Sequence, residues 1–197
     1  MDHESSTKRQ SAWTAARLTI TVFLFLVVRA AGPHPTFAKS DVSQEYQVKA
    51  AFLYNFAKFV DWPADAFENN QAPIALCVYG KDPFEGALDD IVRGKSIGSR
   101  SFVVRRPRTP KSLNDCQIVF VGDSGDDQLR DVLSNLDRSK VLSVGESPNF
   151  AELGGQIQFV TVDGKIRFLI NIDSVNRAGF KMSSKLLALA KVVHDSK

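Results

Sequence analysis

The 197-residue chain is 44% hydrophobic and 24% charged, ordinary globular values that argue against a disordered chain or a membrane bundle. Its formal net charge of +3 is concentrated at one end, because residues 1–38 hold four basic and two acidic residues. The remaining 21 basic against 20 acidic residues give no excess of the kind nucleic-acid binding requires.

The N-terminus reads as an export signal. Lys8, Arg9 and Arg17 precede the uncharged run Leu18–Val28, "LTITVFLFLVV", and a Gly-Pro-His-Pro stretch leads to "TFA" ending at Ala38. A basic segment, a short apolar segment and a small-residue end are the parts of a secretory signal peptide. The apolar run is well short of the roughly 20 residues a spanning helix needs. Residues 1–38 are therefore expected to direct export and to be removed after Ala38, with Ala30 or Ala31 as the other cleavage positions. Residues 39–44 are polar and are expected to form a flexible N-terminus.

A single domain is expected over residues 45–194. Glu45–Val60 reads as a helix, stopped by Trp62-Pro63, since a residue before proline is pushed out of the helical region. On a helical wheel Val48, Phe52, Phe56, Phe59 and Val60 share one face with Leu53 at its edge, opposite Gln47, Tyr54 and Lys58. That face is wider than the stripe a helix on a sheet needs. Either the helix is deeply embedded, or Phe56, Phe59 and Trp62 at its C-terminal end meet a second protein.

The apolar run Pro73–Gly80, "PIALCVYG", bounded by Pro and Gly, predicts a strand buried on both faces. "DPFEGALDDIV" predicts a short helix with Asp82 as N-cap and Pro83 at its first position. "SFVVRR" and "CQIVFVG" are the next two strands, "SGDDQLRDVLSNLD" an amphipathic helix with Leu129, Val132, Leu133 and Leu136 on one face, and "KVLSVG" a fourth strand. "SPNFAELGG" predicts a capped helical turn closed by glycines. In "QIQFVTVDGKIRFLINID", alternating apolar residues flank Asp163-Gly164, the dipeptide of a type I′ hairpin turn. Ser174–Val193 predicts a final helix. Strands alternating with helices imply an α/β fold: a three-layer sandwich with a mostly parallel sheet, one antiparallel hairpin and helices on both faces.

Chemistry is sparse. Beyond residue 38 the only histidine is His194, which leaves no base for a Ser-His-Asp triad or a Cys-His dyad and no multi-His zinc site. "FVGDSGDD" superficially resembles a hydrolase serine motif, but Ser124 is expected to cap the following helix, with Asp126 and Asp127 at its positive end. Asp123, Asp126, Asp127 and Asp131 lack the alternating spacing of a calcium loop. No catalytic residue, metal or cofactor is expected. The basic run Arg93–Lys111 is expected to be a solvated face, with an anion-binding surface as the other reading. Cys77 and Cys116 form an even pair in an exported chain, which favours a disulfide over a metal site or a nucleophile. Arg167 and Asn171 share one face of the last strand, and with Arg177 beyond it they form a candidate pocket for a carboxylate ligand.

Six segments in series, "EYQVKAAFLYNFAKFVDWP", "IALCVYGKDPF", "CQIVFVG", "ELGGQIQFV", "IRFLINID" and "MSSKLLALAKVV", resemble the YfiR family of exported bacterial proteins over residues 45–193. The resemblance implies an α/β sandwich and a regulatory, non-enzymatic role. It implies a periplasmic protein, typically dimeric, that represses an inner-membrane diguanylate cyclase by binding its periplasmic sensor domain. It further implies release by an outer-membrane-linked lipoprotein, with cyclic-di-GMP output and biofilm formation as the consequence. Cys77 and Cys116 match one family disulfide; the second bridge of the well-known member has no counterpart here. The other function class kept open is a periplasmic small-molecule sensor feeding another membrane signalling protein.

Overall fold

The computed structural model describes residues 41–63 and 65–195; the expected signal peptide lies outside the described residues. Helix α1 spans Asp41–Phe59 and runs into the short strand β1, Val60–Asp61. It therefore starts within the segment expected to be flexible, four residues before Glu45. Gln44 in that turn is exposed, as suits a solvated helix start.

The buried stripe of α1 is Lys49, Ala50, Leu53, Phe56, Ala57, continued by Val60. This is a regular 3.6-residue pattern, rotated from the expected one. Val48 is 45% exposed while Leu53, expected at the edge, is 1% exposed. Ala50 and Ala57 set the phase: small side chains let the helix axis approach the sheet, an effect that counting only large apolar residues misses.

Eight strands form the main sheet, in the order β10-β8-β7-β6-β5-β2-β4-β3. They are β2 Ile74–Tyr79, β3 Ser96–Ile97, β4 Arg100–Arg105, β5 Ile118–Val121, β6 Leu142–Gly145, β7 Ile157–Val162, β8 Lys165–Asn171 and β10 Lys191–Val193. Five neighbouring pairs are parallel, and β7–β8 and β3–β4 are antiparallel. Asp163 and Gly164 both have positive φ, 50° and 68°, as the type I′ turn of the expected hairpin demands.

The second hairpin is a correction to the single one expected. Ile97 pairs with Arg100, so Gly98-Ser99 is itself a two-residue turn, with Gly98 at φ 58°.

Side chains alternate across the sheet into two cores. Ile74, Leu76, Val78, Ile118, Phe120, Leu142, Val144, Phe159 and Phe168 pack under α1 and the short helix α2, Ala87–Val92. Ala75, Cys77, Val119 and Val121 face the other way, toward helix α3, Asp126–Asn135, and the 3-10 turn Pro110–Asp115. With both faces covered, β2 and β5 are continuous apolar runs rather than alternating ones.

Several local expectations are corrected. Asp82 does not cap a helix: its Oδ1 accepts the Phe84 N–H at 2.9 Å in a tight turn. Glu85 and Gly86 then take left-handed conformations, so α2 starts only at Ala87. Residues 148–154 form successive turns instead of a helical turn. They fold around Phe150, whose ring lies against Gly145 and Gly155. A Cβ on either glycine would come within 2.2 or 2.1 Å of that ring.

The final helix expected over Ser174–Val193 is replaced by four elements: helix α4 Ile172–Arg177, strand β9 Lys181–Met182, helix α5 Ser184–Leu187, and β10. Gly179 at φ 78° ends the first of these. Ser183 Oγ accepts the Leu186 N–H and starts α5, and the β-branched Val192-Val193 pair joins the sheet edge beside β8. Strand β9 pairs with β1, fixing where the chain leaves α1.

Candidate functional site

In an open α/β sheet, clefts form beyond the carboxyl ends of the parallel strands. Here β5 is followed by Asp123 and β6 by Glu146, and both residues line a cleft of about 680 Å³. Its roof is the first turns of α1, which contribute Glu45, Tyr46 and Lys49; its far wall is β7 from Gln158 to Thr161. The helical spacing matters, because residues 45 and 49, and 46 and 49, are neighbours on one helix surface.

Lys49 is the organising group, only 4% exposed. Its Nζ donates to Glu146 Oε2 at 2.6 Å and lies 2.5 Å from Glu45 Oε1. It also sits 4.4 Å from the centre of the Tyr46 ring. The Tyr46 hydroxyl reaches both Glu146 carboxylate oxygens at 3.2 Å. Burial alone would push the Lys49 pKa down; the hydrogen bonds to Glu146 and Glu45 outweigh it and hold the pKa above its ordinary value. Burial, reinforced by the Glu146 charge, also raises the Tyr46 hydroxyl. Three carboxylates and one ammonium line the cleft, so its formal charge is negative.

The expected partner surface is partly in the core. Phe56 is 0% exposed, with its ring 5.8 Å from Phe159 and 5.1 Å from Phe168. It lies on the sheet-facing stripe and cannot present itself to a partner, which corrects that expectation. Phe59 and Trp62 are half-buried and pack on the same core. Trp62 Nε1 donates to the Ala57 carbonyl at 3.3 Å, one of the acceptors a helix end leaves open. Its ring meets Phe67 and Phe180 edge-on.

Arg167, Asn171 and Arg177 do not converge on a ligand pocket. Asn171 is fully buried. Its Oδ1 accepts the Ser174 N–H, and its Nδ2 donates to the Ala151 carbonyl and to Asp195 Oδ1. Arg177 pairs with Asp195. Arg167, exposed between the buried Ile166 and Phe168 of β8, instead lines a separate trough of about 690 Å³ with Val48, Phe52 and Ile166. Asn171 is thus a helix cap through Ser174, and Asp195 draws both Asn171 and Arg177 into a latch near the C-terminus.

Ser124 is not the cap of α3. Gly125 holds that position with no side-chain cap, because the helix begins one residue later than a Ser124 cap requires. The Ser124 hydroxyl has no hydrogen-bond partner among the described residues. Asp126 and Asp127 do occupy the first turn. Among the described residues, no group of three or more His, Cys, Asp or Glu is arranged to hold a metal ion, and no helix is long and apolar enough to cross a membrane.

Cys77 and Cys116 are joined by a disulfide with Cα atoms 6.0 Å apart, tying β2 to the start of β5. The basic run is largely occupied. Arg106 pairs with Asp82 and Asp89, and its hydrogen bonds hold the Asp89 pKa low. Arg100 lies 3.7 Å from the centre of the Phe67 ring and donates to the Asn69 and Ala72 carbonyls.

The cleft itself was missed in the sequence. Its sequence signal was Glu45 and Lys49, an ion-pair spacing on the inner side of an apolar helix, together with an acid directly after each of two strands. A family model described as YfiR/HmsC-like matches residues 46–191, which takes in all eight strands of the main sheet up to the first residue of β10.

Proposed function

The chain belongs to the YfiR/HmsC-like family, and from that premise we propose that it is a non-enzymatic periplasmic regulator. It binds the periplasmic sensor domain of an inner-membrane diguanylate cyclase and lowers cyclic-di-GMP. The family match is the observation that carries this reading. The apolar segment before Ala38 supports export, and a disulfide between Cys77 and Cys116 suits an oxidising compartment. Repression works by population shift: the regulator holds the cyclase down only as far as it binds the inactive arrangement better than the active one. The same reading includes a homodimer, an outer-membrane-linked lipoprotein that sequesters it, and biofilm formation as the output.

The test places the exported protein beside each membrane cyclase of its own genome and reads cellular cyclic-di-GMP with and without it. A fall that requires one cyclase's periplasmic domain supports the reading. Stable periplasmic protein that changes cyclic-di-GMP with none of them overturns it.

A further inference from the structure

Strand β7 outruns its neighbour. The last rung between β6 and β7 joins Gly145 to Gln158, where β6 ends. β7 nevertheless continues to Val162, paired with β8 on its other side all the way to the turn. Val162 and Lys165 flank a two-residue turn and so exchange hydrogen bonds with each other. Alternate residues then turn their backbone groups the other way, which points the N–H and C=O of Thr161 toward the side that β6 has left. No backbone hydrogen bond among the described residues reaches Thr161 from that side.

This open edge is not a bare rim. It forms the wall of the cleft roofed by Tyr46 and Lys49 and closed opposite by Asp123 and Glu146. An unpaired strand edge is a template for an added strand, and an excess of carboxylates beside it selects for cations. Lys49 is already spent on Glu45 and Glu146, whereas Asp123 is exposed.

We propose that this slot docks an extended, basic segment of a protein partner, which adds as a strand to the open edge of β7 and sets a Lys or Arg side chain against Asp123 and Glu146. The proposal rests on the reading of the chain as a protein-binding regulator and names the surface that reading lacked after Phe56 proved to be core. Backbone pairing supplies affinity, and the carboxylates supply register and choice of partner.

Two variants separate the two elements. Asp123→Lys reverses the charge at an exposed position. Thr161→Pro removes the open-side N–H without touching a bond to β8, a place where an edge strand tolerates proline. The probe is an array of ten-residue peptides tiled over the periplasmic domains of the membrane cyclases of the same genome, read with the labelled protein. The bound peptides are expected to alternate apolar residues with at least one Lys or Arg. Exchanging that cation for Glu, or using either variant, should weaken binding at least about tenfold, the scale of a charged hydrogen bond. If Thr161→Pro lowers the melting temperature, Asp123→Lys decides. An array with no bound peptide, or peptides held equally by wild type and both variants, overturns the slot. Cyclic-di-GMP is read in parallel. Repression that survives in both variants overturns the slot but keeps the regulator; absence of repression by wild type overturns the regulator, while the array still decides the slot.

Discussion

Lys49 and Glu146 stand 97 positions apart in the chain, yet their charged atoms are 2.6 Å apart, binding the roof of the cleft to the carboxyl end of β6. The pair is mostly desolvated, with side chains 5% and 14% exposed. Attraction in such a site roughly offsets the cost of burying the charges, whereas removing one partner strands the other.

Lys49→Met is therefore expected to destabilise the fold by about 3 kcal/mol in chemical denaturation. Combining it with Glu146→Gln should cost clearly less than the two single changes added together. The pH dependence has a definite sign. The Lys49 pKa is raised in the folded chain above its ordinary 10.5, so its contribution is complete below that value and lost as pH rises through the folded pKa. The stability gap between wild type and Lys49→Met should stay constant through neutral pH and narrow only above 10.5. A gap that narrows between neutrality and 10.5 would contradict the raised pKa.

Phe56 and Trp62 make predictions of different size although both lie in the same aromatic stretch. Phe56→Ala opens a cavity among Phe52, Phe159 and Phe168 and should cost about 3–5 kcal/mol. Trp62→Phe keeps most of the ring packing and loses the hydrogen bond to Ala57, so it should cost roughly 1 kcal/mol. Equal losses in thermal unfolding would mean that the two side chains are not differently embedded.

The Cys77–Cys116 bridge spans 39 positions. Chain-entropy reasoning puts its effect near 4 kcal/mol, exerted mainly on the unfolded chain. A Cys77→Ala/Cys116→Ala double variant should keep the native far-ultraviolet spectrum while its denaturation midpoint falls. Loss of the folded spectrum in buffer alone would show that the bridge is required for folding itself.

The main sheet was legible because β2 and β5 are buried on both faces and spell continuous apolar runs, and because Asp163-Gly164 names its own turn. The phase of α1 was not, since Ala50 and Ala57 carry little hydrophobic signal yet decide how closely the helix approaches. The C-terminal region misled for a related reason: "SSKLLALAKVV" has helical composition, but pairing of Val192-Val193 with β8 overrides local propensity. The spacing of Glu45 and Lys49 signals an ion pair but not the cleft, because its parts come from four places in the chain and the unpaired length of β7 depends on where β6 stops. Asn171 and Arg177 meet on Asp195 rather than, with Arg167, on the carboxylate ligand expected of them.

That convergence makes the last prediction. β10 is an edge strand of three residues, too short to hold itself in place, and Asp173 and Asp195 pin the chain beyond it. Asp173 accepts the Asp195 backbone N–H and faces His194, and Asp195 takes hydrogen bonds from Arg177 and Asn171. The Asp195 N–H, then His194, lower the Asp173 pKa; Arg177, then Asn171, lower that of Asp195. A depressed carboxylate stabilises above its unfolded pKa and loses that contribution as pH falls through the folded one. The latch should therefore hold at neutral pH and release below 3.8, the ordinary value for both groups. Amide exchange of Lys191–Val193, measured relative to Leu142–Gly145 in the centre of the sheet, should accelerate once the pH is taken well below 3.8. Asp195→Asn should show the faster relative exchange already at neutral pH and a weaker acid response. A relative rate that is the same at both pH values in wild type would mean that β10 is held by its pairing with β8 alone.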